Sequence, residues 1–312
     1  MKTEKKLESV FLGCMVGSAL GDAIGELAFS YSAEKKLFAK VAALPVLEYT
    51  DDTAMSIGVA ESLAELGRVD VHHLGETFRL NFEREPNRGY GAGPPMIFSL
   101  IRRGFGYEEA AKRMFSGTGS FGNGAAMRVA PVGLFFHDNP GLSLNARTSA
   151  VVTHAHPLGI DGAVVLARAV AIAAGLDYRK RFPVRDFCNE LHKAARTPEF
   201  KQLLKLVAEL VINGSPASEA ADVLGRGISA QESVPFAIFS FLKSPGSFEE
   251  CLRNAVLSGG DRDTLGAMAC AISGACLGIE TIPSEWRSKL ENRAYIEPLA
   301  LKLLERSQAT NP

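Results

Sequence analysis

The stretch Tyr49-Thr50-Asp51-Asp52-Thr53-Ala54-Met55-Ser56-Ile57-Gly58-Val59-Ala60-Glu61-Ser62-Leu63-Ala64-Glu65-Leu66-Gly67 sets the reading of the fold. Met55, Val59, Leu63 and Leu66 return at the three- and four-residue spacing of one helix face, and Gly67 supplies a stop. The same period runs upstream through Leu12, Met15, Val16, Ala19 and Leu20. Downstream it predicts helices at about 70–84, 93–103, 107–115, 143–153, 160–175, 184–194, 199–212, 216–226, 232–242, 247–257, 263–278 and 284–306. Strand-like alternation is nearly absent. Val129–Phe136 is the best short candidate, and Pro131 and Gly133 interrupt it. No regular repeat or low-complexity linker divides the chain. The pattern predicts an all-α protein, a compact multi-helix bundle with residues 1–312 as a single domain.

Composition fits that reading. The 312 residues are 46% hydrophobic and 22% charged, enough to bury a large core. A net charge of −1 lacks the surplus of Lys and Arg that phosphate-backbone binding needs, so no direct nucleic-acid partner is expected. It permits a monomer and a small basic pocket. The stretch after the charged start is interrupted by Gly13, Gly17, Gly21 and Asp22, unlike a signal peptide. No unbroken apolar run reaches the ~20 residues of a bilayer span, so no membrane partner is expected. Five scattered cysteines without C-x-x-C read as free thiols in a reducing compartment, the cytoplasm by default.

Two helix starts are unusually acidic. Thr50-Asp51-Asp52-Thr53 opens the helix quoted above. N-capping accounts for it, since hydroxyls and carboxylates accept from orphan N–H groups there, and so does metal binding. Ser258-Gly259-Gly260-Asp261-Arg262-Asp263-Thr264 then repeats the theme after two glycines. Asp261 and Asp263, two apart, converge only in a turn. Together the four carboxylates and the hydroxyls form an oxygen-only set suited to Mg²⁺ or Mn²⁺, if the fold joins the two starts. Uncompensated, they would repel one another strongly. The helix that follows is rich in small residues (Ala267, Ala269, Ala271, Ser273, Gly274, Ala275), which suits a central helix that its neighbours approach closely.

These blocks, taken in order with several others, resemble the ADP-ribosylglycohydrolase family, most closely its ADP-ribosylhydrolase-3 type. The others are Gly17–Gly25, Gly89-Tyr90-Gly91-Ala92-Gly93, Gly119–Val129, Thr153-His154-Ala155 and Glu232-Ser233-Val234-Pro235. The resemblance runs from about residue 8 to 280. It implies an all-α orthogonal bundle with two magnesium ions, held by Thr50, Asp51, Asp52, Asp261, Asp263 and Thr264, at the mouth of a cleft. It implies that these ions hold the terminal ribose of an ADP-ribosyl group and orient water near its anomeric carbon. Asp51, Asp52, Asp261 and Asp263 are therefore candidates for catalysis as well as metal binding.

The same resemblance makes Gly119, Ser120, Phe121, Gly122, Asn123 and Gly124 the loop that cradles the diphosphate, as an anion nest of backbone N–H groups would. His154 matches a position on the wall beside the phosphates or ribose, and a buried structural histidine reads equally well. Phe121 stands where relatives contact the nucleotide, and a core aromatic is the other reading. Two positions depart from the family pattern. Phe29 stands where a glutamate near the metals is usual, leaving Glu26 or Glu34 to replace it, with Glu26 the candidate for catalysis. Arg262 stands where a small residue is usual.

The implied partner is ADP-ribose or an ADP-ribosylated protein. The implied reaction is hydrolysis of an O-linked ADP-ribosyl bond, in serine ADP-ribose, poly(ADP-ribose) or O-acetyl-ADP-ribose. Two alternatives stay open: an arginine-N-linked hydrolase of the dinitrogenase-reductase-activating type, and a weakly catalytic binder related to crystallins.

Overall fold

Gly13, Gly17, Gly21 and Gly25 lie one turn apart on the N-terminal helix Lys2–Ser30, and this stripe meets the helix Arg262–Leu277 backbone to backbone. A Cβ on Gly13 would stand 2.4 Å from the Gly274 carbonyl oxygen, and one on Gly21 would stand 2.1 Å from that of Gly266. On Gly25 it would meet the Arg262 carbonyl at 2.3 Å. The pairing order makes the two helices antiparallel. It sets Asp22, Gly25 and Glu26 beside the start of the second helix, where Asp261 and Asp263 are.

The computed structural model describes residues 2–177 and 182–310, with side chains described from Leu7 onward. Within them the chain forms eighteen α-helices and two short 3₁₀ turns. Pairing of β type is limited to two isolated bridges, Leu47 with Leu290 and Gly122 with Ser229. The helix Asp51–Leu66 packs across the glycine-paired helices and against Val71–Arg84 and Arg293–Thr310. On the other side Pro157–Gly175 and Ala230–Lys243 pack on Arg262–Leu277. One contiguous apolar core runs from Val10 to Leu304. All five cysteines are buried, and none is in a disulfide. Two segments, Leu7–Ser30 and Pro157–Gly175, are long and apolar enough to cross a membrane, although the broken apolar run suggested none; most of each is buried inside the fold.

Most helical stretches fall where the periodicity places them. Val129–Phe136 does not form a strand: Ala130–Phe135 is a short helix in which Pro131 occupies the first turn, where its missing N–H costs nothing. The segment expected as one helix over 284–306 is two, Ser284–Lys289 and Arg293–Thr310. The break is tertiary. Glu291 N donates to Leu47 O, Leu47 N donates to Lys289 O, and Asn292 turns through φ 53°. Glu34–Ala43, also helical, lacks a clear sequence signal.

Candidate active site

Asp22 is the first site residue to place, and it is fully buried. Its carboxylate accepts from Thr50 N at 3.0 and 3.1 Å, Thr50 Oγ1 at 2.8 Å, Thr53 N at 3.0 Å and Thr53 Oγ1 at 2.6 Å. These amides are orphan donors at the start of the helix Asp51–Leu66. A carboxylate from another helix therefore takes over most of the capping, and the local alternative is a single weak bond, Asp52 N to Thr50 Oγ1 at 3.4 Å. Asp51 and Asp52 are left free to face the cleft. The second acidic start is arranged likewise. Asp261 occupies the N-cap position of Arg262–Leu277 without capping it, and its Oδ2 accepts from Asn123 Nδ2 at 2.6 Å.

The two starts meet. Thr264 Oγ1 donates to Asp52 Oδ2 at 3.3 Å, and Asp51, Asp52, Asp261, Asp263 and Thr264 line a single cleft of about 390 Å³. Burial, then the negative neighbours Asp22 and Asp261, raises the Asp51 carboxyl to about 7. Burial, then Asp261, raises Asp263 to about 7, with Asp22 and Glu26 adding to it. Asp52 is pushed well above the usual carboxylate range by burial and by Asp22, Asp263, Asp51 and Asp261. Burial raises Asp22 to about 6 against the pull of its four donors. So much crowded negative charge calls for a counter-charge.

The donor set fits a hard cation. It is all oxygen, and Asp52 Oδ1 is buried without a hydrogen-bond partner. Among the described residues, however, no three His, Cys, Asp or Glu side chains already converge with coordination geometry. Asp261 is turned onto Asn123, and Asp263 Oδ1 onto its neighbour's amide, Thr264 N, at 2.8 Å. That leaves Asp261 Oδ1 and Asp263 Oδ2 without a hydrogen bond to the protein among the described residues.

Apart from its aspartates, the cleft lining is neutral but for Arg128. Ser120, Gly122, Asn123 and Gly124 contribute to it with His154 and Thr153. The loop that carries them is clamped from outside: Asn123 N donates to Ile228 O and Ala230 N to Phe121 O, both at 3.0 Å. The same segment holds the second acidic start, because Asp261 N donates to Arg226 O at 2.9 Å. Glu232 fixes that segment through Gly227 N at 3.0 Å. Gly260 is required here, since its φ is 73° and a Cβ would stand 1.9 Å from Arg226 O. Gly89, Gly91 and Gly93 also line the cleft, Gly89 beside Asp51. Gly119 and Phe121 are not among the lining residues; Phe121 stands half-exposed, edge-on to His156. Phe115 and Ile228, both exposed, line the mouth.

The remaining candidates fall as follows. Glu26 is exposed on the turn of Lys2–Ser30 that abuts Asp263, outside the cleft lining. Glu34 lies on the surface, paired with Arg253 at 3.0 Å. Arg262 turns away from the carboxylates, donating to Val256 O. His154 is buried, and burial followed by the nearby Arg128 lowers it to about 3. Asp22, Arg128 and the Arg226–Ile228 segment carried no assigned role in the sequence. For the first two the available signal was a lone charge inside an apolar run, Ala19–Ile24 and Ala125–Pro131.

A family profile described as ADP-ribosylglycohydrolase matches residues 3–312. The chain is 34% identical to the ADP-ribosylhydrolase ARH3 of Xenopus tropicalis, over 95% of each chain. It is 32% identical to that of Homo sapiens, over 95% of this chain and 93% of that one. It is 30% identical to the ADP-ribosyl-[dinitrogen reductase] glycohydrolase of Rhodospirillum rubrum, over 92% and 90%. A solved ADP-ribosylglycohydrolase-related protein complex shares the fold, with a TM-score of 0.73 and 24% identity over 97% of this chain and 99% of that one.

Proposed function

Since the chain belongs to the ADP-ribosylglycohydrolase family and is a hydrolase of that kind, we propose that it cleaves an O-linked ADP-ribosyl bond with the help of two Mg²⁺ ions. One observation carries the reading: both acidic helix starts line the same cleft as Ser120, Gly122, Asn123, Gly124 and His154. A cleft of about 390 Å³ is within the range of small-ligand sites. Its lining joins carboxylates to a glycine-rich loop and a buried guanidinium, groups of the kinds that a ribose and a diphosphate each require.

Asp51, Asp52, Asp261 and Asp263, with Thr50 and Thr264, would hold the ions. Bound there, divalent cations supply purchase on ribose hydroxyls and a water of lowered pKa. The chain's own residues do the rest. The Ser120–Gly124 loop, clamped by Phe121 O and Asn123 N, offers its other polar groups to the diphosphate. Phe115, exposed and among the lining residues, offers a face to the base. Hydrolysis breaks the bond from the anomeric carbon to the acceptor oxygen, water oxygen takes its place, and a proton passes to the departing oxygen. One of the four aspartates, besides holding the ions, would orient the attacking water. Glu26, outside the cleft lining but near enough to act on the charge of Asp263, is the further carboxylate candidate.

The O-linked assignment rests on the likeness of the Gly89–Gly93 and Gly119–Met127 blocks to the ADP-ribosylhydrolase-3 type. The buried thiols, none of them in a disulfide, support a cytoplasmic setting. Serine-linked and arginine-linked ADP-ribosyl peptides, each incubated with Mg²⁺ or with EDTA, decide between the readings. Release from the serine peptide alone, abolished by EDTA, is expected. Release from the arginine peptide alone overturns the linkage. Activity undiminished in EDTA overturns the metal requirement, and tight ADP-ribose binding with neither peptide cleaved makes the protein a binder.

A further inference from the structure

In the lining of the cleft, three side chains form a buried relay. Arg128 is 1% exposed, and its guanidinium NH2 group donates to Thr153 Oγ1 at 2.6 Å and to Ser149 O at 3.3 Å. Thr153 Oγ1 in turn lies 2.7 Å from His154 Nδ1. Arg128 is itself held in place, with its guanidinium over the Phe78 ring at 4.6 Å and its NH1 group 3.9 Å from Met55 Sδ.

The proton inventory fixes the direction of these bonds. A guanidinium only donates, so Thr153 Oγ1 accepts from Arg128. The threonine is buried, and its one proton has no other acceptor among its partners in the described residues. Directed at Nδ1, that proton leaves every group satisfied. Directed elsewhere, it would be a buried donor without a partner, which is costly. The histidine nitrogen facing Thr153 is then an acceptor, and the ring proton sits on Nε2. That nitrogen has no protein partner among the described residues. It borders the loop: a Cβ on Gly124 would stand 3.4 Å from it, and one on Gly122 would stand 3.8 Å away. Both glycines and His154 line the cleft.

We propose that Arg128 and Thr153 are positioning residues that lock His154 as its Nε2–H tautomer, so that this N–H is a fixed donor to an anionic oxygen of the ligand. The ligand half of the inference rests on the cleft's holding an ADP-ribosyl diphosphate; the tautomer half does not. A neutral donor at this point can bind phosphate oxygen without taking up a proton, so its contribution does not vary across neutral pH. Arg128 acts only through Thr153 and needs no contact with the ligand.

The test uses ¹⁵N-labelled full-length protein, whose His154 ring signals are assigned by their loss in His154→Gln. Two-bond ¹H–¹⁵N correlation of the wild type at pH 7 is expected to show a neutral ring protonated at Nε2. Thr153→Val should mix or invert the tautomer and weaken ADP-ribose binding by calorimetry about tenfold or more, while Thr153→Ser restores both. His154→Gln, which keeps an N–H near the Nε2 position, should bind more tightly than His154→Asn. A wild-type ring protonated at Nδ1, or doubly protonated, overturns the proposal whether or not the variants fold. So does an unchanged tautomer and affinity in Thr153→Val. A locked Nε2–H ring in a protein that does not bind ADP-ribose confirms the relay and overturns the reading of the cleft.

Discussion

Removing the Asp22 carboxylate tests the claim that a residue from another helix frees Asp51 and Asp52 from capping. In Asp22→Ala, the Thr50 and Thr53 hydroxyls can turn to other partners, but their amides lose a buried acceptor. Each unsatisfied buried donor costs roughly 1–3 kcal/mol, so the two together cost roughly 2–6 kcal/mol. An opposing effect comes from the charge. The folded carboxyl lies at about 6 against a reference of 3.8, so its raised value favours the fold fully below pH 3.8 and that benefit is lost as pH rises through 6. The difference is about 2.2 units, or about 3 kcal/mol, of which roughly half is lost between pH 5 and pH 8. The alanine variant does not share that loss. Its destabilisation relative to wild type, measured by urea unfolding in EDTA, should therefore be larger at pH 5 than at pH 8. Turnover should fall about a hundredfold at temperatures where the variant is folded, because the first turn carrying Asp51 and Asp52 loses its anchor. A destabilisation under about 1 kcal/mol at pH 5, or one that grows towards pH 8, refutes the reasoning.

Three further outcomes follow from the same geometry. Asp51 and Asp263 titrate near 7 when folded, well above 3.8, so without divalent ions the protein should lose stability as pH rises from about 4 through 7, and Mg²⁺ should flatten that slope; a flat thermal-unfolding profile in EDTA would count against the cluster. Arg262→Thr should leave Mg²⁺-dependent turnover within about threefold, because the guanidinium donates to Val256 O and not to the aspartates; a hundredfold change in the metal requirement would show that it reaches them. Gly266→Ala should destabilise by about 2 kcal/mol or more, since its methyl would stand 2.2 Å from Gly21 O and must force two backbones apart; a melting temperature equal to wild type would contradict the close pairing.

The sequence carried the all-α character and most helices because their apolar faces recur locally. It misplaced what tertiary contacts decide. Pro131 reads as a strand breaker until it is seen in a first turn, and 284–306 reads as one helix until the bridge from Leu47 bends the chain at Asn292. Glu34, a sequence candidate for the missing carboxylate, is spent on Arg253 at the surface, a pairing 219 residues long that no local pattern announces.

The site was half legible for a related reason. Sequence names Asp51, Asp52, Asp261 and Asp263 as caps or ligands with equal ease, because both roles require a carboxylate at a helix start. What separates them is whether the orphan amides have another acceptor, and that depends on residues distant in the chain. Asp22 answers for the first helix, from 28 positions away. For the second, Asn123 draws the Asp261 side chain off the cap across 138 positions. The glycine stripe of Lys2–Ser30 acts at the next step: it holds that helix against Arg262–Leu277 and so keeps Asp22, which caps the first start, beside the second. The helix pairing that sequence presents as small-residue packing thus helps to set the distance between the two acidic starts.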